Sequence, residues 1–249
     1  MSRGLGDVYK RQTKYFDRIT RPEQIIQSLP QSIQTMLDPA DTGPACLSLC
    51  QDVQGETFDY PEEFFKERIH NIRRPKPDDF QIKQAMEKIK KSKKPIIISG
   101  GGVFYSDAMD ELGSFAIKHN IPVTQTVMGY STMKRDHSHF LGPIGGLGGR
   151  AANNLAKETD LAICVGTKLA DFTTGSWANF ENPEFKLVSI NIARHDANKH
   201  LAEAVIGDAK VCLSELSNSL GNWKSPDSWH KKSQDELKSW NEYVDKESG

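Results

Sequence analysis

Apolar and polar positions alternate along residues 94 to 220 in a way that predicts the fold class. Short apolar runs, many rich in β-branched residues, have the length of strands buried in a parallel sheet, and stretches with helical spacing separate several of them. The runs are Pro95 to Ser99, Ile121 to Thr126, Asp160 to Gly166, Leu187 to Ile192 and Ala204 to Asp208. The sequence therefore predicts an α/β fold, an open doubly wound parallel sheet with helices on both faces.

Helical spacing of apolar residues predicts four helices, over residues 78 to 92, 106 to 119, 150 to 158 and 209 to 220. Asp78 and Ser106 are the expected N-caps of the first two. Ten residues are expected on the buried faces of these two helices: Phe80, Ile82, Ala85, Met86, Ile89, Met109, Leu112, Phe115, Ala116 and Ile117. A short segment at Phe140 to Gly142 separates the second predicted strand from the third helix.

A triple glycine, Gly100, Gly101 and Gly102, ends the first predicted strand. Glycines at such a turn let a ligand approach the backbone, and the start of the following helix offers N–H groups to an anion such as a diphosphate. The dinucleotide motif G-x-G-x-x-G is incomplete here, because Val103 and Phe104 follow the glycines. The turn alone therefore leaves close packing and ligand binding equally open.

The segments on either side of this region suggest further domains. The apolar residues among residues 1–12 show no helical or strand periodicity, and this segment is expected to be a non-native or disordered leader. Residues 13–53 contain a helical pattern from Pro22, which Pro30 would end, kink or restart, and a short strand within Gly43 to Cys50. One helix and one strand cannot form a stable layered domain, so we expect the tail of a truncated α/β domain.

Two polar segments complete the expected organisation. Residues 54–77 contain several X-Pro steps, which favour extended backbone, and are expected to be an interdomain linker. Residues 221–249 are polar with widely spaced aromatic residues, and are expected to be a further linker or helix. The central domain is thus expected over residues 78–220.

Composition and charge narrow the functional classes. Of the 249 residues, 37% are hydrophobic, which is enough to form a core. The net charge is −1, so the chain has no positive field that would attract nucleic acid. No run of 18 apolar residues and no signal peptide is present, so a cytoplasmic protein without membrane contact is expected. The four cysteines form no CxxC motif.

The loops at the carboxyl ends of three predicted strands should share one cleft. Six residues in these loops are the candidate binding residues of a nucleotide-sized groove: Gly100, Gly101, Gly102, Thr126, Met128 and Lys168, the last as a partner for phosphate. The alternative, which base rates favour, is that the loops close the edge of the sheet and meet a neighbouring domain.

No catalytic constellation and no metal site is predicted. His137 and His139 share a face if the segment is extended, but a third ligand is missing nearby, which favours an ordinary polar role over a metal site. His70, His195 and His200 lack a flanking nucleophile, so a hydrolytic triad cannot be argued from them.

Several motifs resemble those of thiamine-diphosphate enzymes. Residues 43–53, GPACLSLCQDV, resemble the closing strand of the pyrimidine-binding domain, with Cys50 in place of the customary proline. The triple-glycine turn, Thr126 to Gly129 and Gly166 to Lys168 are similar to the central domain of the acetohydroxyacid synthase group. The segments QDVQ, DYPE, IRRP and DFTTGSW, within residues 51–177, most resemble the trihydroxycyclohexanedione hydrolases of myo-inositol breakdown.

The resemblance implies an activity and cofactors for the complete protein. Such enzymes use thiamine diphosphate and Mg²⁺ to cleave a carbon–carbon bond of a cyclic diketone and release a deoxyuronic acid. The catalytic glutamate and the G-D-G motif that holds the diphosphate belong to domains outside this sequence, so this chain would be the inactive central portion of a homo-oligomeric enzyme. Relatives that bind flavin carry a basic residue at Phe172 and an acidic one at Asn191, so the resemblance does not favour FAD.

Two other functions remain open from the sequence. One is a fragment of an acetolactate-synthase-like carboligase or decarboxylase, which pyruvate turnover would distinguish from the hydrolase. The other is a non-catalytic nucleotide-binding or assembly module, which would bind flavin or adenine nucleotides without the thiamine cofactor.

Overall fold

The computed structural model describes residues 8–248, so the first seven residues of the expected leader lie outside the described residues. The chain divides into two compact units, Met1–Arg73 and Arg74–Gly249. Among the described residues, no helix is both long enough and apolar enough to cross a bilayer.

The first unit contains a parallel β–α–β arrangement. Strand β1 (Tyr15–Ile19) is followed by α1 (Ile25–Leu37) and by β2 (Ala45–Leu49), which pairs in parallel with β1 from Tyr15↔Ala45 to Ile19↔Leu49. Helix α1 continues through Pro30. Strand β1 has no counterpart in the sequence analysis, because Asp17 and Arg18 interrupt its apolar pattern.

The second unit contains a six-stranded parallel sheet and the helices that cover it. Its strands are β3 (Pro95–Ser99), β4 (Val123–Gln125), β5 (Phe140–Pro143), β6 (Leu161–Val165), β7 (Lys186–Asn191) and β8 (Glu203–Ile206). Its helices are α2 (Asp79–Lys91), α3 (Gly101–Tyr105), α4 (Met109–His119), α5 (Arg150–Glu158), α6 (Asp171–Thr174), α7 (Arg194–Ala197), α8 (Ala209–Leu220) and α9 (Asp227–Ser248). The strand order is β5-β4-β3-β6-β7-β8, and every pair is parallel. The expected open α/β sheet is therefore confirmed.

Alternate residues of the central strands face two separate cores. Ile97 of β3 packs with α2, α4 and α8 on one face, whereas Ile96 and Ile98 pack with α5 on the other. All three isoleucines are fully buried. This alternation explains why the central strands are apolar at nearly every position.

The helix expected over residues 106 to 119 begins at Met109 as α4, and the short helix α3 ends just before the expected start. Ser106 is the C-terminal cap of α3 and does not cap α4, so its prediction as an N-cap was wrong. Its hydroxyl instead donates to the Asp208 carboxylate over 2.8 Å, and Asp107 has a positive φ of 52° at the break. The partner of Ser106 lies 102 residues away, so local spacing could not reveal the break.

Two residues expected on buried helix faces are exposed. Phe80 is 66% exposed on α2 and Ile117 is 55% exposed on α4. The buried stripe on α2 is narrower than predicted and is centred on Ile82, Ala85 and Ile89. Helical spacing gives the direction of a stripe, but its width depends on the elements packed against it.

The polar segment after α8 forms α9, a 22-residue helix. The indole of Trp229 is 4% exposed and its Nε1 donates to the Pro95 carbonyl over 2.8 Å, at the start of β3. Trp229 belongs to the core that contains Ile96 and Leu155. Helix α9 is thus packed against the second unit.

Candidate functional site

The carboxyl edge of the second unit's sheet contains the point where chain direction reverses. From β3 the chain continues to β4 on one side, and from β6 it continues to β7 on the other. In sheets of this kind, the crevice between the two diverging loops is the usual place for a ligand. The loops here are Gly100 to Gly102 after β3 and Gly166 to Lys168 after β6.

Backbone contacts bring these two loops together. The Gly100 amide donates to the Val165 carbonyl over 2.8 Å, and the Gly102 amide donates to the Gly166 carbonyl over 2.9 Å. A Cβ atom at Gly100 would lie 2.4 Å from the Gly166 oxygen, and one at Gly102 would lie 2.6 Å from the Gly166 Cα. Close packing between the loops therefore accounts for glycine at both positions.

The N–H groups expected to attract an anion are partly engaged. Helix α3 has only five residues, so its terminal dipole is small. The amides of Gly100 and Gly102 are already paired with carbonyls of the neighbouring loop. Nucleotide binding at this turn stays a prediction, and these hydrogen bonds reduce what the turn offers to a phosphate.

The loop after β4 joins the same cluster. The Thr126 hydroxyl accepts from the Gly129 amide over 3.0 Å and caps a 3₁₀ turn, Val127–Gly129. A Cβ at Gly129 would lie 2.2 Å from the Ser99 carbonyl oxygen, and one at Gly101 would lie 3.0 Å from the Met128 oxygen. The Met128 side chain is 74% exposed. Of the candidate binding residues, Gly100 to Gly102, Thr126 and Met128 are thus brought together.

Lys168, the proposed phosphate partner, is paired with a carboxylate instead. Its Nζ lies 3.9 Å from the Asp196 carboxylate, and 76% of its side chain is exposed. The same carboxylate pairs with Lys199 at 2.5 Å. An ion pair of this length with an exposed lysine is weak, so Lys168 would be available to a ligand that reached it.

The two positions that depart from flavin-binding relatives have local structural roles. Asn191 ends β7; its Nδ2 donates to the Thr167 carbonyl over 3.2 Å, and its Oδ1 accepts from the Ala193 amide over 2.9 Å. Phe172 is 68% exposed, and its carbonyl accepts from the Gly146 amide over 2.7 Å. Asn191 therefore connects two loops at the edge of the sheet through neutral hydrogen bonds.

Three histidines meet away from this edge, near the start of α9. The rings of His139 and His230 stack with centroids 4.1 Å apart, and the His137 ring lies 5.8 Å from that of His139. Burial, together with the nearby His230 and His137, lowers the pKa of His139 to about 4. Burial also lowers the pKa of His230, against the attraction of Asp227. Within residues 8–248, no cluster of three or more potential ligands could hold a metal ion.

Gln125, the last residue of β4, is not among the residues expected to have a function. It is 5% exposed, and its Oε1 has no hydrogen-bond partner. A glutamine inside a buried parallel strand is the signal that could have drawn attention to it, because a buried amide is usually hydrogen-bonded.

The residues described here do not form a site for the implied thiamine diphosphate and Mg²⁺. Asp208, the carboxylate of the sequence Gly207-Asp208, is 4% exposed and accepts from Ser106 and from the amides of Lys210 and Val211 in α8. It also pairs with Arg74 over 3.1 Å. Since this carboxylate is fully engaged, it offers no free ligand to a metal, and no step through the cofactor is assigned to this chain.

Comparison with known proteins gives consistent results for sequence and fold. The family model described as "Thiamine pyrophosphate enzyme, central domain" matches residues 82–216. The solved structure of a protein from Mycobacterium smegmatis, assigned as a thiamin diphosphate-dependent enzyme, has a TM-score of 0.68 and 22% sequence identity; the match covers 87% of this chain and 41% of that one. At this identity, the structural likeness supports the fold alone.

Curated relatives carry the name 3D-(3,5/4)-trihydroxycyclohexane-1,2-dione hydrolase. The protein from Clostridium perfringens (strain 13 / Type A) is 46% identical over 215 residues, which cover 86% of this chain and 34% of that protein. The protein from Clostridium botulinum (strain Eklund 17B / Type B) is 43% identical over 241 residues, which cover 97% and 38%. The chain thus spans little more than a third of the length of these relatives. Because the family model matches more than half of its residues, the chain belongs to the thiamine pyrophosphate enzyme family and contains its central domain.

Proposed function

We propose that this chain is the central portion of a thiamine-diphosphate-dependent hydrolase that cleaves a carbon–carbon bond of trihydroxycyclohexane-1,2-dione to 5-deoxyglucuronate in inositol catabolism. The observation that carries the proposal is the 46% identity over 215 residues with the named hydrolase from Clostridium perfringens. Thiamine diphosphate and Mg²⁺ would be bound by other parts of the complete protein, so the chain alone would be inactive.

The role proposed for the second unit is that of a scaffold between catalytic domains. The cofactor, when bound, would supply the electron sink, and this chain would hold its neighbours in position. The packed loops at Gly100, Gly102 and Gly166 support a rigid carboxyl edge, because their backbones interlock through short contacts. A rigid unit suits positioning, which loses efficiency with small displacements.

The first unit is proposed to be the C-terminal end of a pyrimidine-binding domain, over residues 13–53. Its β-strands are only half buried, and Leu49 is 51% exposed at the end of β2. Parallel strands are normally covered on both faces, so a larger domain would supply the missing cover. Residues 54–77 would then be the linker to the central domain, and residues 221–249 would lead toward the diphosphate-binding domain.

The proposal includes a homo-oligomeric state and a cytoplasmic location for the complete protein. Active sites shared between subunits are implied by the family resemblance. Light scattering of the complete protein tests the homo-oligomeric state. We expect an oligomer, and a monomer would contradict the proposal. Fractionation of cells tests the cytoplasmic location, and recovery of the protein outside the cytoplasmic fraction would contradict it.

A chimera tests the scaffold role directly. The segment of the Clostridium perfringens relative that aligns with residues 74 to 220 is replaced by those residues, and cleavage of the dione is measured with cofactor and Mg²⁺. We expect the chimera to keep activity within about tenfold of its parent, because the positioning contacts are retained. The matched control carries Gly102→Val, which places a branched side chain against Gly166 and should lose most of that activity.

Loss of activity in a chimera that is folded and assembled like its parent would contradict the scaffold role. Equal activity of the chimera and its Gly102→Val control would contradict the importance of the packed loops.

A further inference from the structure

A cavity of about 760 Å³ lies beside the edge strand of the second unit. Its walls come from the end of β4, the loop from Tyr130 to Arg135, strand β5 and helix α9. This volume falls in the range that holds small organic ligands.

Gln125 lies in the wall of this cavity and is 5% exposed. Its Oε1 is fully buried and has no hydrogen-bond partner within the described residues. An unpaired buried amide destabilises a fold, so such groups are normally satisfied. A hydroxyl group of a ligand would satisfy this oxygen, because a hydroxyl can donate a hydrogen bond whereas a carboxylate cannot.

Two positively charged side chains line the same cavity. Lys134 and Arg135 line it on an exposed turn, and neither has an ion-pair partner within residues 8–248. Asp245, from the far end of α9, is the carboxylate of the lining. The cations would attract a negative ligand group, whereas Asp245 disfavours a doubly charged one and accepts hydrogen bonds from hydroxyls.

Trp240 supplies a fixed aromatic wall. Its ring stacks on Tyr243 with centroids 5.7 Å apart, and the Arg150 guanidinium lies 5.7 Å from its centroid. Trp240 lines the cavity, and a ring held in this way loses little conformational freedom when a ligand packs against it. The C–H face of a sugar ring fits such a surface.

We propose that this cavity binds a small polyhydroxylated carboxylate, that is, a sugar acid. Its carboxylate contacts Lys134 and Arg135, its hydroxyls donate to the Gln125 Oε1 and to the Asp245 carboxylate, and its ring packs on Trp240. The inference rests on the cavity alone and does not depend on the proposed function.

Isothermal titration of the full chain with D-glucuronate tests the proposal, with D-glucose and D-glucose 6-phosphate as comparison probes. We expect saturable binding of glucuronate, and binding of glucose that is at least about tenfold weaker because the ion pairs are missing. Failure of glucuronate to bind, or equal binding of glucose, would overturn the proposal. Tighter binding of glucose 6-phosphate than of glucuronate would overturn the assignment of a carboxylate.

Variants locate the site. Arg135→Gln and Lys134→Gln each remove one charge from an exposed turn and should weaken glucuronate binding by about tenfold. Lys90→Gln, an exposed position on α2 outside the cavity, is the matched control and should leave binding unchanged. Unchanged binding in both cavity variants would overturn the assignment.

Gln125→Leu separates a binding role from a structural one. Removing an unpaired buried amide should leave the melting temperature unchanged or higher, while glucuronate binding falls. A large drop in melting temperature with unchanged binding by the folded fraction would show that Gln125 is structural and would overturn its role here.

Discussion

The Gly102 amide donates to the Gly166 carbonyl over 2.9 Å, and a Cβ added at Gly102 would lie 2.6 Å from the Gly166 Cα. This contact joins the loops after β3 and β6 at the point where the sheet reverses its connectivity. The glycines that suggested a phosphate-binding turn therefore have a structural function that needs no ligand. They allow two backbones to approach more closely than any side chain would permit.

The packing of these loops predicts that Gly102→Ala destabilises the chain. The added methyl group meets backbone atoms that cannot move independently, and overpacking of this kind costs about 2 kcal/mol. Urea unfolding of the chain without ligand measures the change. The matched control is Gly146→Ala, where the nearest atoms to a Cβ are 3.8 Å away, and it should change stability by less than about 0.5 kcal/mol. Equal stability of the two variants would contradict the packing role.

The stacked pair of His139 and His230 predicts that stability falls in mild acid. Burial lowers the pKa of both rings, to about 4 for His139, below the ~6.5 of an unfolded histidine. The unfolded chain therefore binds protons more readily, so this contribution is complete above pH ~6.5 and is lost as the pH falls toward 4. His137 lowers the pKa of His139 further and so adds to the loss of stability, whereas Asp227 raises the pKa of His230 and so opposes that loss.

Urea unfolding at a series of pH values measures this dependence. We expect the wild-type chain to lose on the order of 1 to 2 kcal/mol between pH 7 and pH 5. His139→Phe keeps an aromatic ring and removes the titration, so its loss should be smaller, although His119, whose pKa burial also lowers, still contributes. His195→Gln, at an exposed position, is the control. A His139→Phe profile as steep as that of the control would contradict this account.

The burial of Trp229 predicts that α9 is needed for the stability of the second unit. Trp229→Ala would leave a cavity between α9 and β3 and leave the Pro95 carbonyl without its donor, at a cost of about 3 to 5 kcal/mol. Trp229→Phe fills most of the space but lacks the donor, so a loss of about 1 to 3 kcal/mol is expected. Urea unfolding measures both. If both variants unfold like the wild type, α9 behaves as a linker.

The engaged amides at the triple-glycine turn predict weak or no binding of nucleotides. Equilibrium dialysis of the full chain with FAD and with ADP should show no saturable binding up to about millimolar ligand, a level at which the binding free energy is only about −4 kcal/mol. Saturable binding that Lys168→Gln weakens would contradict this expectation and would restore the groove of Gly100 to Gly102, Thr126, Met128 and Lys168 as a nucleotide site.

Apolar runs were sufficient to predict the sheet of the second unit. Ile96 to Ile98 and Leu161 to Val165 are buried on both faces, so almost every residue is apolar and the signal is strong. Strand β1 escaped prediction because it is half exposed, and Asp17 points its carboxylate at Ser28 of α1. The apolar residues of such a strand follow no simple periodic pattern.

Contacts between residues distant in sequence account for the other differences. The break at Ser106 depends on Asp208, and the engagement of the Gly100 and Gly102 amides depends on residues of the β6 loop. The missing hydrogen-bond partner of the Gln125 Oε1 is a property of the tertiary structure and leaves no mark on the sequence. Sequence spacing shows which residues could bind a ligand or cap a helix. Whether their polar groups are already hydrogen-bonded to other residues depends on the tertiary structure.

Cleavage of trihydroxycyclohexane-1,2-dione by the complete protein tests the central claim most directly. DNA on both sides of the reading frame supplies the complete sequence, and the purified protein is given thiamine diphosphate, Mg²⁺ and either the dione or pyruvate. The account predicts that the dione is converted to 5-deoxyglucuronate and that pyruvate is turned over far more slowly. An intact dione together with rapid turnover of pyruvate would contradict it and would identify a carboligase or decarboxylase instead.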